Sequence, residues 1–304
     1  MPHAAQDRKR LYQRLAWPCL LLLVAVTCLS AYLRHSAGGL GCEPWPACFG
    51  QGERAAAGSL LIDGQALTVA RVAHRVTATL ALLLLIALVF IAVVKRPHLR
   101  REGALSSALL VLALLLALLG VFTPGSRLPV VAIGNLVGGF LMVALAARLL
   151  RAPTHRGLGA VAIAVALLLL GQVVTGAFVS ASRAGLACTD IRECLGQARA
   201  GGWDWAALNP WREPGFAIGT PTAEGTLAQL LHRLGGLLVA PAVAGLAVIA
   251  MWRGRLREGL VSWALLALEV ALGLALGSTG LPMVPVLLHN LVSALLLAVI
   301  LRLA

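Results

Sequence analysis

Eight long apolar runs constrain this chain more than any other feature of its sequence. They cover approximately residues 15–33, 68–94, 104–122, 128–147, 157–179, 226–252, 259–277 and 283–303. A helix needs about 20 residues to cross a bilayer, and each run has close to that length. The regular alternation of polar and apolar residues that a membrane β-barrel needs does not occur in them. The sequence therefore predicts an all-α integral membrane protein with eight transmembrane helices in a lipid bilayer.

The distribution of charge favours a membrane protein over a nucleic-acid-binding one. Only 12% of the residues are charged, against about 25% in soluble domains, although the formal net charge is +13. The basic residues cluster at the N-terminus and directly after the second, fourth and sixth runs. Short basic segments stay in the cytoplasm, which predicts two cytoplasmic termini and outer loops at 34–67 and 180–225. We therefore expect no nucleic acid partner.

Three motifs occur twice along the chain, in the same order. The pairs are GLGCEPWPACFGQ (39–51) with GLACTDIRECLGQ (185–197), AHRV (73–76) with LHRL (231–234), and LPVVAIGNLV (128–137) with LPMVPVLLHNLV (281–292). Each half holds an even number of runs, so the two halves should have the same orientation in the membrane. We predict two tandem four-helix bundles, residues 1–151 and 152–304, related by a pseudo-two-fold axis along the membrane normal.

Four cysteines lie in the predicted outer loops, as two pairs of equal spacing. The pairs are Cys42 with Cys48 and Cys188 with Cys194. Disulfides persist outside the cytoplasm, so we expect one disulfide within each pair. A metal site is the weaker alternative because the CxxC spacing of such sites is missing. A redox relay between the two pairs also stays open, although no residue requires it.

Three histidines lie inside apolar runs, each about six residues from the predicted outer end: His74, His232 and His289. An imidazole in an apolar helix is costly unless its nitrogens are used. The three helices would run in the same direction, so the rings should lie at one depth, about 9 Å from the outer ends. Matched depth in a repeated frame favours haem ligation over hydrogen bonding to a neighbouring helix, because two histidines can bind the two faces of one haem.

The two halves differ in the iron ligands that they offer. Aligning the two copies of the third motif places Gly134 opposite His289, so the first half has only His74. The second half has His232 and His289, which predicts a six-coordinate haem there. In the first half we predict an open site, a pocket between the second and fourth runs that is bordered by His74 and Gly134.

Two arginines directly follow two of these histidines: Arg75 follows His74, and Arg233 follows His232. Arginine pairs well with carboxylates such as the propionates of a haem, so Arg75 would lie near the mouth of the predicted pocket. An arginine that extends to the membrane interface is the alternative. Adjacent residues on a helix point about 100° apart, so both interpretations remain open.

With these motifs the chain resembles the haem A synthase family of eight-helix membrane proteins. The resemblance covers nearly the whole chain and is carried by GLGCEPWPAC, GLAC, the two His-Arg pairs and His289. It implies an oxidoreductase that converts haem O to haem A, by oxidising a ring methyl to a formyl group, for terminal oxidase biogenesis. It also implies a permanent haem b between His232 and His289, and a substrate haem at a catalytic His74.

The resemblance further implies a setting for this activity. Haem O would come from a haem O synthase, and the protein would lie in the bacterial cytoplasmic (inner) membrane. The sequence leaves open the electron donor, the oxidant and the oligomeric state, a homo-oligomer included.

Two departures from the family pattern lie in the first half. Many members have a glutamate where this chain has Arg71, and a histidine where it has Gly134. An arginine cannot accept a proton at ordinary pH. These departures favour the alternative of a non-catalytic b-type haem protein, either an electron carrier or a haem-handling assembly factor. A transporter is a third alternative, but this sequence lacks the broken helices with paired charges in mid-membrane that would support it.

Overall fold

The computed structural model describes residues 2–36, 64–94, 98–122, 126, 128–150, 158–182, 184–213 and 223–304. Over these residues it contains nine α-helices and no β-strand. The helices are α1 (Pro2–Ser36), α2 (Gly64–Val93), α3 (Arg100–Phe122), α4 (Pro129–Leu149), α5 (Gly159–Ala181), α6 (Ile191–Ala200), α7 (Ala223–Trp252), α8 (Leu256–Thr279) and α9 (Met283–Leu303).

Eight of these helices are long and apolar enough to cross a membrane, and α6 is the exception. The predicted all-α class and the eight spans are therefore confirmed. The helices agree with the predicted runs to within about four residues at each end, except at α1, which begins at Pro2. The extension is polar and bears basic residues, and Lys9 lies 3.7 Å from the Glu102 carboxylate at the start of α3. Hydropathy marks only the apolar part of such a helix.

The membrane-spanning helices pack in two rings of four. In the first ring α1 packs against α2, α2 against α3, α3 against α4, and α4 against α1. The second ring repeats this order with α5, α7, α8 and α9. Contacts of α4 with α9, of α4 with α5 and of α1 with α9 join the rings. The same order of neighbouring helices in both rings is what a parallel repeat of four helices requires. The rotation axis along the membrane normal and the boundary at residue 151 stay predictions.

Two arginines at one end of the bundle make matching contacts in the two rings. Arg101 Nη2 donates to Arg148 O at the end of α4, and Arg255 Nη2 donates to Arg302 O at the end of α9. Each pair is 47 residues apart. The last carbonyls of a helix lack intrahelical partners and carry partial negative charge, so a cation stabilises them. The repeat therefore extends to the way in which these helices end.

The segment between α5 and α7 packs against α7. Cys188 and Cys194 form a disulfide there, as their spacing predicts, while Cys42 and Cys48 lie outside the described residues. Two hydrogen bonds similar to those of a capping box begin α6: the N-cap Asp190 accepts from Glu193 N at 2.8 Å, and Thr189 N, one residue before the N-cap, donates to the Glu193 carboxylate at 2.6 Å. Hydrogen bonds from Thr189 hold the pKa of Glu193 below its usual value.

A close approach of α8 to α7 leads to a prediction about stability. A Cβ at Gly259 would lie 2.7 Å from Ala247 O, a backbone atom of α7. Gly259→Ala should therefore lower stability by about 1–3 kcal/mol, measured by thermal unfolding in detergent. Gly171→Ala is the control, because a Cβ there meets nothing within 4 Å. It should leave the melting temperature unchanged or raise it slightly, and equal losses in both variants would contradict the prediction.

Candidate functional site

Two of the three predicted histidines lie next to each other in the second ring. His232 is on α7 and His289 is on α9, with ring centroids 6.4 Å apart and ring planes at 83°. Two metal–nitrogen bonds of about 2.0 Å, with the ring radii added, would place the centroids of two axial imidazoles about 6.3 Å apart. The pair therefore has the spacing that a shared metal ion requires.

Hydrogen bonds from α5 orient the ring of His232. Thr175 Oγ1 and Gln172 Nε2 lie 3.1 Å and 3.0 Å from His232 Nδ1. The Thr175 hydroxyl donates to Gln172 O at 2.8 Å, which leaves its lone pair available for a proton on Nδ1. A proton on Nδ1 would leave Nε2 of His232 unprotonated, the state that a metal ligand needs, whereas the Gln172 amide nitrogen only donates and so bonds Nδ1 in the other tautomer.

Glycines on neighbouring helices make room for both imidazoles. A Cβ at Gly176 of α5 would lie 3.0 Å from His232 Cε1, and a Cβ at Gly273 of α8 would lie 3.5 Å from His289 Cε1. The Gln172 amide likewise occupies the place that a Cβ of Gly235 on α7 would take. Small residues of this kind let membrane helices approach closely. Here they also leave space for the polar groups of the site.

Glu269 of α8 lies beside His289 and is a site residue that the sequence interpretation did not single out. Its Oε1 is 3.2 Å from His289 Nδ1, but the angle between the two groups is not that of a hydrogen bond. The same oxygen accepts a hydrogen bond from Ser293 Oγ. Among the described residues, no partner hydrogen-bonds to the buried Glu269 Oε2. A carboxylate inside a membrane helix is costly and points to a function. It is the one charged residue in the run 259–277, and that was the available signal.

The third histidine, His74, lies in the first ring at a cavity of about 240 Å³ between α1, α2, α3 and α4. The cavity is mostly apolar. Its polar lining residues are Thr27, Ser30, Arg34, His74, Thr79 and Asn135. A Cβ at Gly134 would instead lie 3.0 Å from Leu119 Cδ2, so position 134 faces α3. Position 135 and not 134 borders the cavity, which corrects the predicted border.

The predicted arginines lie in different surroundings. Arg75 is exposed on α2, as is Arg71, and neither is among the residues that line the cavity. Arg233 donates to Cys188 O at 2.9 Å and to Thr189 O at 2.8 Å, and so holds the segment between α5 and α7 against α7.

A different arginine, Arg34 of α1, lines the cavity. Its Nη2 donates to Asn290 Oδ1 of α9 at 3.3 Å. The next residue, His35, lies with Nε2 3.1 Å from Leu281 O, between α8 and α9. The C-terminal end of α1 is therefore attached to the second ring. These contacts were not predictable from local sequence, because their partners are 256 and 246 positions away in the chain.

Comparison with known proteins connects this arrangement to a family. The model of the COX15-CtaA family, described as cytochrome oxidase assembly protein, matches residues 13–301. The chain belongs to this family. A relative from Shewanella oneidensis named "Heme A synthase" is 28% identical over 303 residues, and the match covers 91% of each chain. With eight apolar helices of membrane-spanning length, this family member is an integral membrane protein.

The contact between Gln172 and Gly235 leads to a prediction. Gly235→Ala places a Cβ where the Gln172 amide lies and should lower the free energy of unfolding by about 1–3 kcal/mol. In a Gln172→Ala background the same change should cost much less, because the clash is gone. Gly236→Ala is the control, with a Cβ at an ordinary 3.6 Å from Gln172 Nε2. An additive double mutant, measured by thermal unfolding, would refute the proposed contact.

Proposed function

We propose that this chain is a haem A synthase-like oxidoreductase, which converts haem O to haem A by oxidising a ring methyl group to a formyl group. The observation that carries the proposal is the His232–His289 pair in one ring, combined with a separate cavity at His74 in the other. Membership of a cytochrome oxidase assembly family and the likeness to a haem A synthase support it. The product would serve a terminal oxidase in the same membrane.

The residues around His232 and His289 fit a haem b. Within the described residues, no group of three or more His, Cys, Asp or Glu side chains lies close enough to hold a metal ion. Two histidines alone do not complete the coordination of a metal, and a porphyrin would supply the remaining ligands of an iron held here. Thr175 and Glu269 lie at the two Nδ1 atoms, which leaves both Nε2 atoms for the iron.

Haem b bound there would supply one-electron transfer. The chain's own contribution is to hold and tune the two ligands. Thr175 presents a neutral oxygen to His232, whereas Glu269 presents a carboxylate to His289. His232 and His289 are half-buried on apolar helices of membrane-spanning length, and surroundings of low dielectric constant would strengthen both contacts. We expect the more electron-rich ligand to be His289.

The first ring would hold the substrate haem, with His74 as its ligand on one face. Asn135 lines the same cavity, but an amide is a poor iron ligand, so the other face would stay open. The cavity volume of about 240 Å³ is below the roughly 300–1,000 Å³ of most ligand pockets. A porphyrin bound to His74 would therefore extend beyond the cavity, between the outer parts of the surrounding helices.

The small cavity and the exposed Arg71 favour a second candidate, a non-catalytic b-type haem protein. Haem extraction and mass analysis of the purified protein distinguish the two. Haem O or haem A bound beside haem b supports the enzyme. Haem b alone, without haem A in cells that express the protein and supply haem O, supports an electron carrier or a haem-handling assembly factor.

Single histidine variants test the assignment of the two sites. His232→Ala and His289→Ala should each abolish a low-spin b-type spectrum, because each removes one of the two residues that would hold the iron. His74→Ala should keep that spectrum and lose haem A formation. His98→Ala, at an exposed position between α2 and α3, is the control and should change neither. An unchanged low-spin spectrum in His289→Ala would rule out the proposed ligand pair.

Glu269 gives a further prediction that concerns the reduction potential of haem b. Glu269→Gln should raise the midpoint potential by an amount on the order of tens of millivolts, because a carboxylate at Nδ1 increases electron donation by His289. Glu258→Gln is the matched control on the same helix, where the carboxylate pairs with Arg255. Redox titration of both variants checks the result. Equal potentials in the two would show that Glu269 does not tune the haem.

A further inference from the structure

Arg34 is the cationic residue of the His74 cavity. It lies at the outer end of the cavity, since the α1 residues that line it run from Arg34 inward to Leu23. At 1.5 Å per residue these two positions are about 16 Å apart along α1. On α2 the lining runs from His74 to Leu85, over a similar length. The cavity therefore has a polar outer end, with Arg34 and His74, and an apolar inner end.

Arg34 lacks an anionic partner in the described part of the chain. Its hydrogen bond there, at 3.3 Å, goes to the neutral amide oxygen of Asn290. A guanidinium stays charged at all ordinary pH values, and charge inside a membrane helix is costly unless it is paired. One amide oxygen uses one of five N–H donors, so Arg34 retains the capacity to bind a carboxylate with two parallel hydrogen bonds.

We propose that Arg34 binds a carboxylate of the ligand that occupies the His74 cavity, and that this ligand is a metalloporphyrin carrying carboxylate side chains. The inference deepens the proposed function and rests on it, because it assigns the residue that recognises the propionate edge of the substrate haem. One ligand would meet both groups, with its metal at His74 and its carboxylates at Arg34.

This contact would also fix the orientation of the ligand. Arg34 reaches Asn290 of α9, which directly follows His289 in the chain. A carboxylate at Arg34 would therefore lie where the first ring meets the second. The opposite edge of the porphyrin would point away from α9. Arg34 is thus a specificity-determining residue, which selects the acid form of a porphyrin and sets which edge faces the second ring.

The test uses zinc protoporphyrin IX and its dimethyl ester as fluorescent probes of the purified, haem-loaded protein. Zinc in a porphyrin takes one axial ligand, which suits the His74 site and not a two-histidine site. We expect the protein to bind the free acid about 10- to 100-fold more tightly than the ester, as expected for a lost charged hydrogen bond. His74→Ala should weaken the binding of both probes and so locates them.

Variants then separate recognition from a structural role. Arg34→Gln should weaken binding of the free acid by about 10- to 100-fold and leave the ester unchanged, so that the two affinities become similar. Arg34→Lys keeps the charge but lacks the planar guanidinium that binds a carboxylate with two parallel hydrogen bonds. Its affinity for the free acid should lie between those of the wild-type protein and Arg34→Gln. Asn290→Ala removes the protein partner of Arg34 and should not weaken the binding of the acid. Arg14→Gln, an exposed arginine near the other end of α1, is the matched control.

Three results would overturn the inference: equal affinities of the wild-type protein for acid and ester, no binding of either, or no change in Arg34→Gln. A loss in Asn290→Ala as large as in Arg34→Gln would assign Arg34 a structural role instead. The proposed function is scored separately, by haem A formation in cells. A protein that forms haem A while Arg34→Gln binds the acid normally refutes this inference alone, and a protein that forms none while showing the expected affinities refutes the function alone.

Discussion

The cost of placing an imidazole inside an apolar helix is the constraint on which the second ring depends. Each of its four helices contributes to meeting that cost around His232 and His289. Thr175 on α5 and Glu269 on α8 lie at the two Nδ1 atoms, and Gly176 on α5 leaves room for the imidazole of His232. No single helix would form the site. The packing order of the ring and the chemistry of the pair therefore depend on each other.

The two rings share an architecture but not a chemistry. They have the same order of neighbouring helices and the same arginine contacts at the helix ends. The second ring contains two imidazoles with their Nδ1 contacts. The first contains one imidazole, a cavity and Arg34. A repeated frame can be kept by helix packing alone, so the residues inside each ring are free to diverge. Such a pair of sites would suit a protein that keeps one group bound in the second ring and exchanges a ligand in the first.

The parts of the fold that depend on local sequence were predictable, and those that depend on contacts between distant helices were not. Hydropathy located the eight spans, and matched depth paired His232 with His289. The border of the cavity was wrong by one residue, because alignment of the halves does not give the direction in which a side chain points. Glu269 was visible as a lone charge, but its partner lies on another helix. Arg34 was hidden because only the assembled ring shows that it faces a cavity.

The attachment of α1 to the second ring has a consequence for biosynthesis. Arg34 contacts a residue 256 positions later, and His35 contacts one 246 positions later. The C-terminal end of α1 is therefore fixed only once α9, which is synthesised much later, is in place. A chain that ends before α9 can pack most of the first ring, but at the Arg34 end of the His74 cavity it lacks the contact with Asn290. A ligand of that cavity would consequently bind after α9 is made, since long-range contacts form only once the intervening chain is in place.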